Sequence, residues 1–187
     1  EFNDVVSNGD FVFVNSPTSV YRFKENQQDA IVLELCLDIC DFNSSKELSR
    51  IKKIDVSGEY LWARTDAFLI RYHLDSGEKE MMSLADFVPK KHEENYAGHP
   101  TIAATEDIVW ISTPTGLLKH HVLSKSFEKV SIPVQQELKD LGIKSIMLDA
   151  DEPDMVYLSS SQFGEMIFNN KNGQSTTINH ESGLYNS

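Results

Sequence analysis

Six histidines and 29 Asp and Glu residues supply the side chains here that could bind a metal or move a proton. His120 and His121 are adjacent. Neighbours on an extended strand point to opposite faces, so this pair cannot chelate one ion together. His92 and His99 share a long polar stretch with Glu93, Glu94 and Tyr96. Zinc needs three or four converging ligands, and spacing alone does not bring these together. Asp149, Asp151, Glu152 and Asp154 form a dense acidic run. Calcium loops alternate oxygen ligands around a glycine and close on a bidentate Glu. This run holds Pro153 and no glycine, and reads as a solvated hairpin turn. No metal site is expected.

Covalent chemistry has no signature either. The chain lacks a G-x-S-x-G elbow, a phosphate-binding glycine loop, an H-E-x-x-H pair, and a cysteine matched to a plausible histidine. No catalytic residue is assigned, and no cofactor is expected. The two cysteines are Cys36 and Cys40. On one continuous strand, residues four apart lie about 13 Å from each other. A disulfide needs Cα atoms within about 7 Å, so a bridge requires the strand to end between them.

The elements that must position any site are read from a repeat. DFVFVN, EYLWAR, DIVWIS and DMVYLS each place a ring at the same point: Phe13, Trp62, Trp110 and Tyr157. The rings are 49, 48 and 47 residues apart. A near-constant period of this size means stacked copies of one supersecondary unit. Around each ring the pattern is strand, tight turn, strand, tight turn, strand, tight turn, strand. Gly, Asn, Asp, Ser and Pro fill the turns, as in a four-stranded antiparallel meander. The central strands, such as Tyr60-Leu61-Trp62-Ala63, are apolar on both faces and must be covered on both sides. Fourth strands such as Phe127-Glu128-Lys129-Val130 carry charge, which suits an exposed edge.

Four-stranded sheets buried against their neighbours and polar at the outer edge make a β-propeller. The expected fold is therefore all-β, with four blades near 2–37, 51–84, 101–132 and 143–179. The four rings are expected to pack between blades. His73 and His120 fall near equivalent places and read as a repeated surface position. Three long connections, Asp38 to Arg50, Asp86 to His99 and Pro133 to Gly142, hold helix-like pieces at Lys46-Glu47-Leu48 and at Val134 to Leu141. Strand-four-to-strand-one connections share one propeller face, where contacts are usually displayed. Arg64, Tyr96, His99, Thr115 and Gln162 are the candidate ligand contacts in the loops.

Composition narrows the partners. At 187 residues the chain can build a proper core, and no apolar run approaches the ~20 residues that span a bilayer. EFNDVV has no basic or apolar leader, so no signal peptide is expected in this stretch. The formal net charge of −12 repels phosphate backbones and anionic membranes, and no basic run exceeds Lys90-Lys91. Nucleic acid is not expected as a partner.

IVWISTPTGLLKHHVLSKSFEKV and EYLWARTDAFLIRYHLDSGEKE resemble the two-component regulator propeller repeat. That pattern runs through a Trp-containing strand, a small-residue turn, Gly-Leu, an Arg-Tyr-Asp-like strand end and a glycine hairpin. Trp110, Thr113, Gly116 and Leu117 match it, as do Trp62, Arg71, Tyr72, Asp75 and Gly77. The tail 180–187, with Gly183-Leu184, resembles the lead-in to a further blade. The resemblance implies a periplasmic sensor segment, part of a larger, seven-bladed propeller. Its receptor would carry a cytoplasmic histidine kinase, hybrid kinase or diguanylate cyclase domain and would meet the membrane only through flanking segments. The implied partners are an unknown small ligand or protein, the remaining blades, and a second receptor in a dimer. Alternatives are a propeller scaffold for protein–protein contact and a propeller hydrolase or lyase.

Overall fold

A computed structural model describes residues 2–24, 32–42, 50–88, 99–114, 116–132 and 141–178. These residues form four antiparallel sheets of four strands each, matching a partial β-propeller. The first holds β1 (Asp4–Ser7), β2 (Phe11–Asn15), β3 (Ser19–Lys24) and β4 (Glu34–Asp38). The second holds β5 (Lys53–Ser57), β6 (Tyr60–Arg64), β7 (Phe68–His73) and β8 (Lys79–Ser83). The third holds β9 (Ile102–Ala104), β10 (Ile108–Thr113), β11 (Gly116–His121) and β12 (Ser126–Val130). The fourth holds β13 (Ile143–Leu148), β14 (Met155–Ser160), β15 (Gly164–Asn169) and β16 (Ser175–Ile178). Strand order follows chain order in every sheet.

Only a short 3-10 turn, Ile39–Asp41, interrupts this pattern among the described residues. It ends the strand between Cys36 and Cys40, and both thiols are free. The helix-like piece expected at 46–48 lies outside the described residues, as does 134–140; Leu141 is in no helix.

The chain divides into two compact units, Glu1–Val88 with Ala104–Glu106, and Pro89–Ala103 with Asp107–Ser187. Each has its own core, and both are built the same way. Side chains alternate across a strand, so every sheet has one face bearing the ring of its second strand and one opposite face. In the first unit, Phe13, Val20 and Leu37 on the ring face of the first sheet meet Ile54, Leu61, Ala63 and Ile70 on the opposite face of the second. In the second unit, Trp110 and Leu117 on the ring face of the third sheet meet Ile146, Val156, Leu158 and Met166 on the opposite face of the fourth. The Trp110 ring stands edge-on to Phe168 at 6.4 Å. Each large side chain so buried contributes about 1.5–3 kcal/mol.

The ring residues are not alike in burial. Phe13 and Trp62 are wholly buried and Trp110 nearly so, whereas Tyr157 is only partly buried. Val156 and Leu158, its neighbours on β14, fill the core from the other face. The shared turn after the second strand has one local cause. Ser16, Thr65 and Ser160 each turn a hydroxyl onto the backbone N–H three residues on, at 3.1, 3.0 and 3.3 Å. Thr113 Oγ1 donates instead to Gly116 O at 3.0 Å. Such side chains close tight turns by replacing a backbone partner. Gly116 follows with φ near 150°, and a Cβ there would lie 3.3 Å from Val130 O.

A second repeat is visible only in the register. Phe13 pairs across with Arg22, and Arg22 with Glu34. Trp62, Arg71 and Glu80 line up the same way, as do Trp110, Lys119 and Glu128. Each base lies over a ring of its own sheet: Arg22 over Phe11 at 4.8 Å, Arg71 over Tyr60 at 4.7 Å and Lys119 over Trp110 at 5.2 Å. Each also pairs with its fourth-strand acid. The fourth sheet has Tyr157, Ile167 and Thr176 at these positions, with no charge.

Candidate functional site

Turns after second strands and the segments entering first strands meet at one end of each sheet. In the first unit this end holds Asn15, the 16–19 turn, Ile51, Lys52, Arg64 and the 65–68 turn. Ile51 donates its N–H to Pro17 O at 2.7 Å, and Asn15 Nδ2 reaches Ile51 O at 3.5 Å. Lys52 Nζ stands 3.4 Å from Asp66. These are the accessible charges on the strip, each about one-third exposed.

Arg64 belongs to this end but points inward. It is 1% exposed. Its Nη1 donates to the carbonyls of Thr65, of Asp66 at 2.9 Å and of Phe68 at 3.4 Å. The guanidinium thus closes the β6–β7 turn on itself, engaging the Thr65 and Asp66 carbonyls and adding to the bond that Phe68 O accepts from Thr65 N at 3.0 Å. Its contribution to this end is to fix the turn that displays Asp66.

In the second unit the corresponding end gathers His99, Ser112, Leu141, Gly142 and Ser160. His99 is exposed; its N–H donates to Ile143 O at 3.0 Å and its carbonyl accepts from Ser112 Oγ at 3.1 Å. Ser112 Oγ also accepts from Thr101 N at 2.9 Å, so a buried hydroxyl sets the path of the chain into β9. Leu141 N donates to Pro114 O at 3.0 Å, the same bond as that from Ile51 to Pro17 two periods earlier. Gln162 is exposed, and its N–H caps on Ser160 Oγ at 2.9 Å. Ile143 pairs with Ser160. His99 and the Gln162 turn therefore flank one end of the fourth sheet. Tyr96 and Thr115 lie outside the described residues.

Sequence reading missed Ser112 and the Lys52–Asp66 pair. The polar residue two places after each ring was the available signal: Asn15, Arg64, Ser112 and Ser159. The first three are buried and hydrogen-bonded to backbone.

The histidine reading needs a correction. His120 is not at the surface but wholly buried, with its ring 4.8 Å from that of Phe127. Ring-anchored counting puts His120 level with Tyr72, and His121 level with His73. A one-residue offset exchanges the faces. His121 and His73 are the surface pair, held by Glu128 at 3.0 Å and Glu59 at 3.7 Å.

Titratable groups at the described ends hold structure together. Asp55, on the innermost strand of the second sheet, accepts from Ala104 N at 2.7 Å and Val56 N at 2.8 Å. Burial pushes its carboxyl above the usual range, against the pull of those two N–H groups. Each of its two oxygens thus accepts one main-chain N–H. Asp149, Asp151, Glu152 and Asp154 form a hairpin turn in which Asp149 Oδ1 accepts from Asp151 N at 2.8 Å. No group of three or more metal-ligating side chains converges among the described residues.

No family model matches the chain. No curated protein matches it either. Solved structures do. The extracellular domain assigned to the hybrid two component system BT4673 of B. thetaiotaomicron is similar over 95% of this chain and 22% of its own length, with TM-score 0.61 and 14% identity. That assigned to BT3049 of the same organism is similar over 96% of this chain and 24% of its own, with TM-score 0.59 and 10% identity. AztD of Citrobacter koseri is similar over 94% and 46%, with TM-score 0.57 and 13% identity. The chain spans less than a quarter of the two receptor domains. At these identities the likeness is one of fold.

Proposed function

We propose that the chain is an extracytoplasmic, periplasmic sensor segment of a bacterial signal-transduction receptor, engaging a ligand or partner at the sheet end that carries the β14–β15 turn. The observation that carries this reading is the fold match to two extracellular receptor domains over nearly the whole chain. The repeat resemblance of Trp110, Thr113, Gly116 and Leu117 supports it independently. The segment would itself be no enzyme. It would bind with the exposed polar groups Gln162 and His99 of the second unit; Lys52 with Asp66 is a separate candidate in the first unit, and Tyr96 and Thr115 are candidates from the sequence alone. A ligand changes the receptor's output only by favouring one of two receptor arrangements. The remaining blades, a second receptor chain and a kinase or cyclase domain would complete the device.

The test uses the full-length receptor with a transcriptional or second-messenger reporter. Gln162→Ala with His99→Ala is expected to abolish the response while leaving receptor abundance unchanged. An unaltered dose–response curve would refute the site. Arg64 is a poor probe, because replacing it unpicks a turn.

A further inference from the structure

An asparagine followed by glycine is the pair that loses its side-chain amide most readily, because glycine lets its own main-chain nitrogen reach the neighbouring amide carbon. The chain has two such pairs, Asn8-Gly9 and Asn172-Gly173. Both sit at hairpin tips, the first between β1 and β2 and the second between β15 and β16, and both are exposed. Both glycines take a left-handed φ, 92° and 71°, and a side chain added to either would meet nothing within 4 Å. By residue type and turn position the two pairs are equals. Their hydrogen bonds set them apart.

Three groups take part in amide loss: the glycine nitrogen that attacks, the carbonyl it attacks, and the amide nitrogen that leaves. Gly173 N donates to Asn169 O at 2.9 Å, a main-chain bond that closes the hairpin. Gly9 N donates to Ser7 Oγ at 3.1 Å, an exposed hydroxyl that can turn aside or take up the proton. Asn8 Oδ1 accepts two main-chain N–H groups, from Asp10 at 3.2 Å and from Phe11 at 2.9 Å. These fold the side chain back along its own main chain, and they face the oxygen on which negative charge gathers during attack, as oxyanion-hole donors do. Asn172 Oδ1 has one such donor, Gln174 N at 2.9 Å. Asn172 Nδ2 is also tied to Gln174 Oε1 at 3.2 Å, whereas Asn8 Nδ2 donates to none of the described residues. All three differences favour reaction at Asn8.

We propose that Asn8 is a self-modification site, converted to aspartate and isoaspartate with the help of its own hairpin, while the β15–β16 hairpin holds Asn172 back. Gly9 N gives up its proton and bonds to Asn8 Cγ. The Cγ–Nδ2 bond then breaks, and the amide nitrogen takes up a proton and leaves as ammonia. Water opens the resulting succinimide at either carbonyl, giving aspartate or isoaspartate at position 8. Nothing is oxidised or reduced, and water is the sole co-reactant. The product adds a negative charge beside Asp10. Its isoaspartate form carries the main chain through Cβ and so lengthens the β1–β2 turn by a bond. The site needs no ligand, partner or output domain and stands apart from the sensor reading.

The test compares both asparagines in one sample of the 187-residue chain. The chain is incubated at mildly alkaline pH, folded in buffer and in parallel unfolded in urea. Peptides are mapped by mass, and isoaspartate is counted by enzymatic methylation. In the folded chain Asn8 is expected to convert at least about fivefold faster than Asn172, the rate equivalent of the one main-chain hydrogen bond that must break at Gly173. In urea the hairpins are gone, and the two rates should agree within about twofold. Equal rates in the folded chain, or a faster Asn172, would overturn the proposal. So would a preference for Asn8 that persists undiminished in urea, because it would belong to the flanking residues and not to the hairpin. An Asn8 that converts in urea but is inert when folded would overturn it as well. None of these results bears on the receptor assay.

Discussion

Arg22 offers the sharpest test of how neighbouring sheets are locked. Its Nε and Nη2 hold Glu34 at 2.9 and 3.0 Å, its Nη1 donates to Leu74 O at 3.1 Å, and its guanidinium covers Phe11. Glu34 is 60% exposed, so the ion pair itself is worth under about 1 kcal/mol. The ring contact adds about 0.5–1 kcal/mol. The bond to Leu74 joins the first sheet to the hairpin of the second, and a charged donor to a backbone carbonyl is worth about 1.5–3 kcal/mol. Arg22→Ala should therefore cost about 2–4 kcal/mol, and Glu34→Gln well under 1. Arg22→Lys, a point charge without the fork, should fall between them. Each unit holds one of the two tryptophans, Trp62 and Trp110. Urea unfolding followed by fluorescence in a Trp110→Phe background reports the first unit alone. High salt should erase the Glu34→Gln effect and leave most of the Arg22→Ala effect. If Glu34→Gln costs as much as Arg22→Ala, the lock is the ion pair and the reasoning from Leu74 is wrong.

Two further outcomes follow from ionisation. The His121 contact, reinforced by Lys119, holds the Glu128 carboxyl below its usual range, and Arg22 does the same for Glu34. A depressed carboxyl stabilises above its unfolded pKa, and that stability is lost as pH falls through the folded value. Denaturation midpoints should decline on acidification below the ordinary carboxylate range, and the Glu34→Gln, Glu128→Gln double variant should show a shallower decline; parallel curves would reject this. Burial pushes the Cys36 thiol up to about 11, whereas Cys40 is exposed, its thiol raised chiefly by the neighbouring Asp38. A chromogenic disulfide should titrate one thiol in the native chain, faster as pH rises, and the second only in denaturant; two thiols reacting together at once would contradict the burial of Cys36.

The sheets were readable in the sequence because their signal is redundant. Phe13, Trp62 and Trp110 recur at one period, each amid apolar neighbours on both faces, and each is followed by Ser or Thr where the turn needs a hydroxyl. Tyr157 shares the period but not the burial, since burial depends on what lies opposite, which no local pattern encodes. Fourth-strand charge read as solvated edge. Glu34, Glu80 and Glu128 do lie at the edge, but each is spoken for by a base one strand inward. Finding that pairing needs the register, and the register depends on turn lengths that differ between copies. The same uncertainty of one residue misplaced His120. Arg64 shows why loop candidates are hard to read: a residue type and a turn position do not say whether a long side chain reaches outward or folds back. Among the loop candidates, exposure and backbone bonding distinguish Gln162 and His99 from Arg64.

The innermost strands carry a feature with consequences for how such a chain can change over time. Asp4 accepts from Ile54 N at 3.1 Å while also holding Lys53, and Asp55 accepts from Ala104 N at 2.7 Å. In each case the carboxylate grips a main-chain N–H and ignores the side chain attached to it. A bulky Ile and a small Ala serve equally well as donors. The clasp itself therefore tolerates any residue at the donating position except proline, the one residue without that hydrogen, and it is the core, not the clasp, that fixes Ile54 as apolar. Accepting positions have no such latitude, because a lost carboxylate strands a part-buried N–H. Copies built on this clasp can drift until little of the shared phrase survives beyond its rings and turns, and still close on one another.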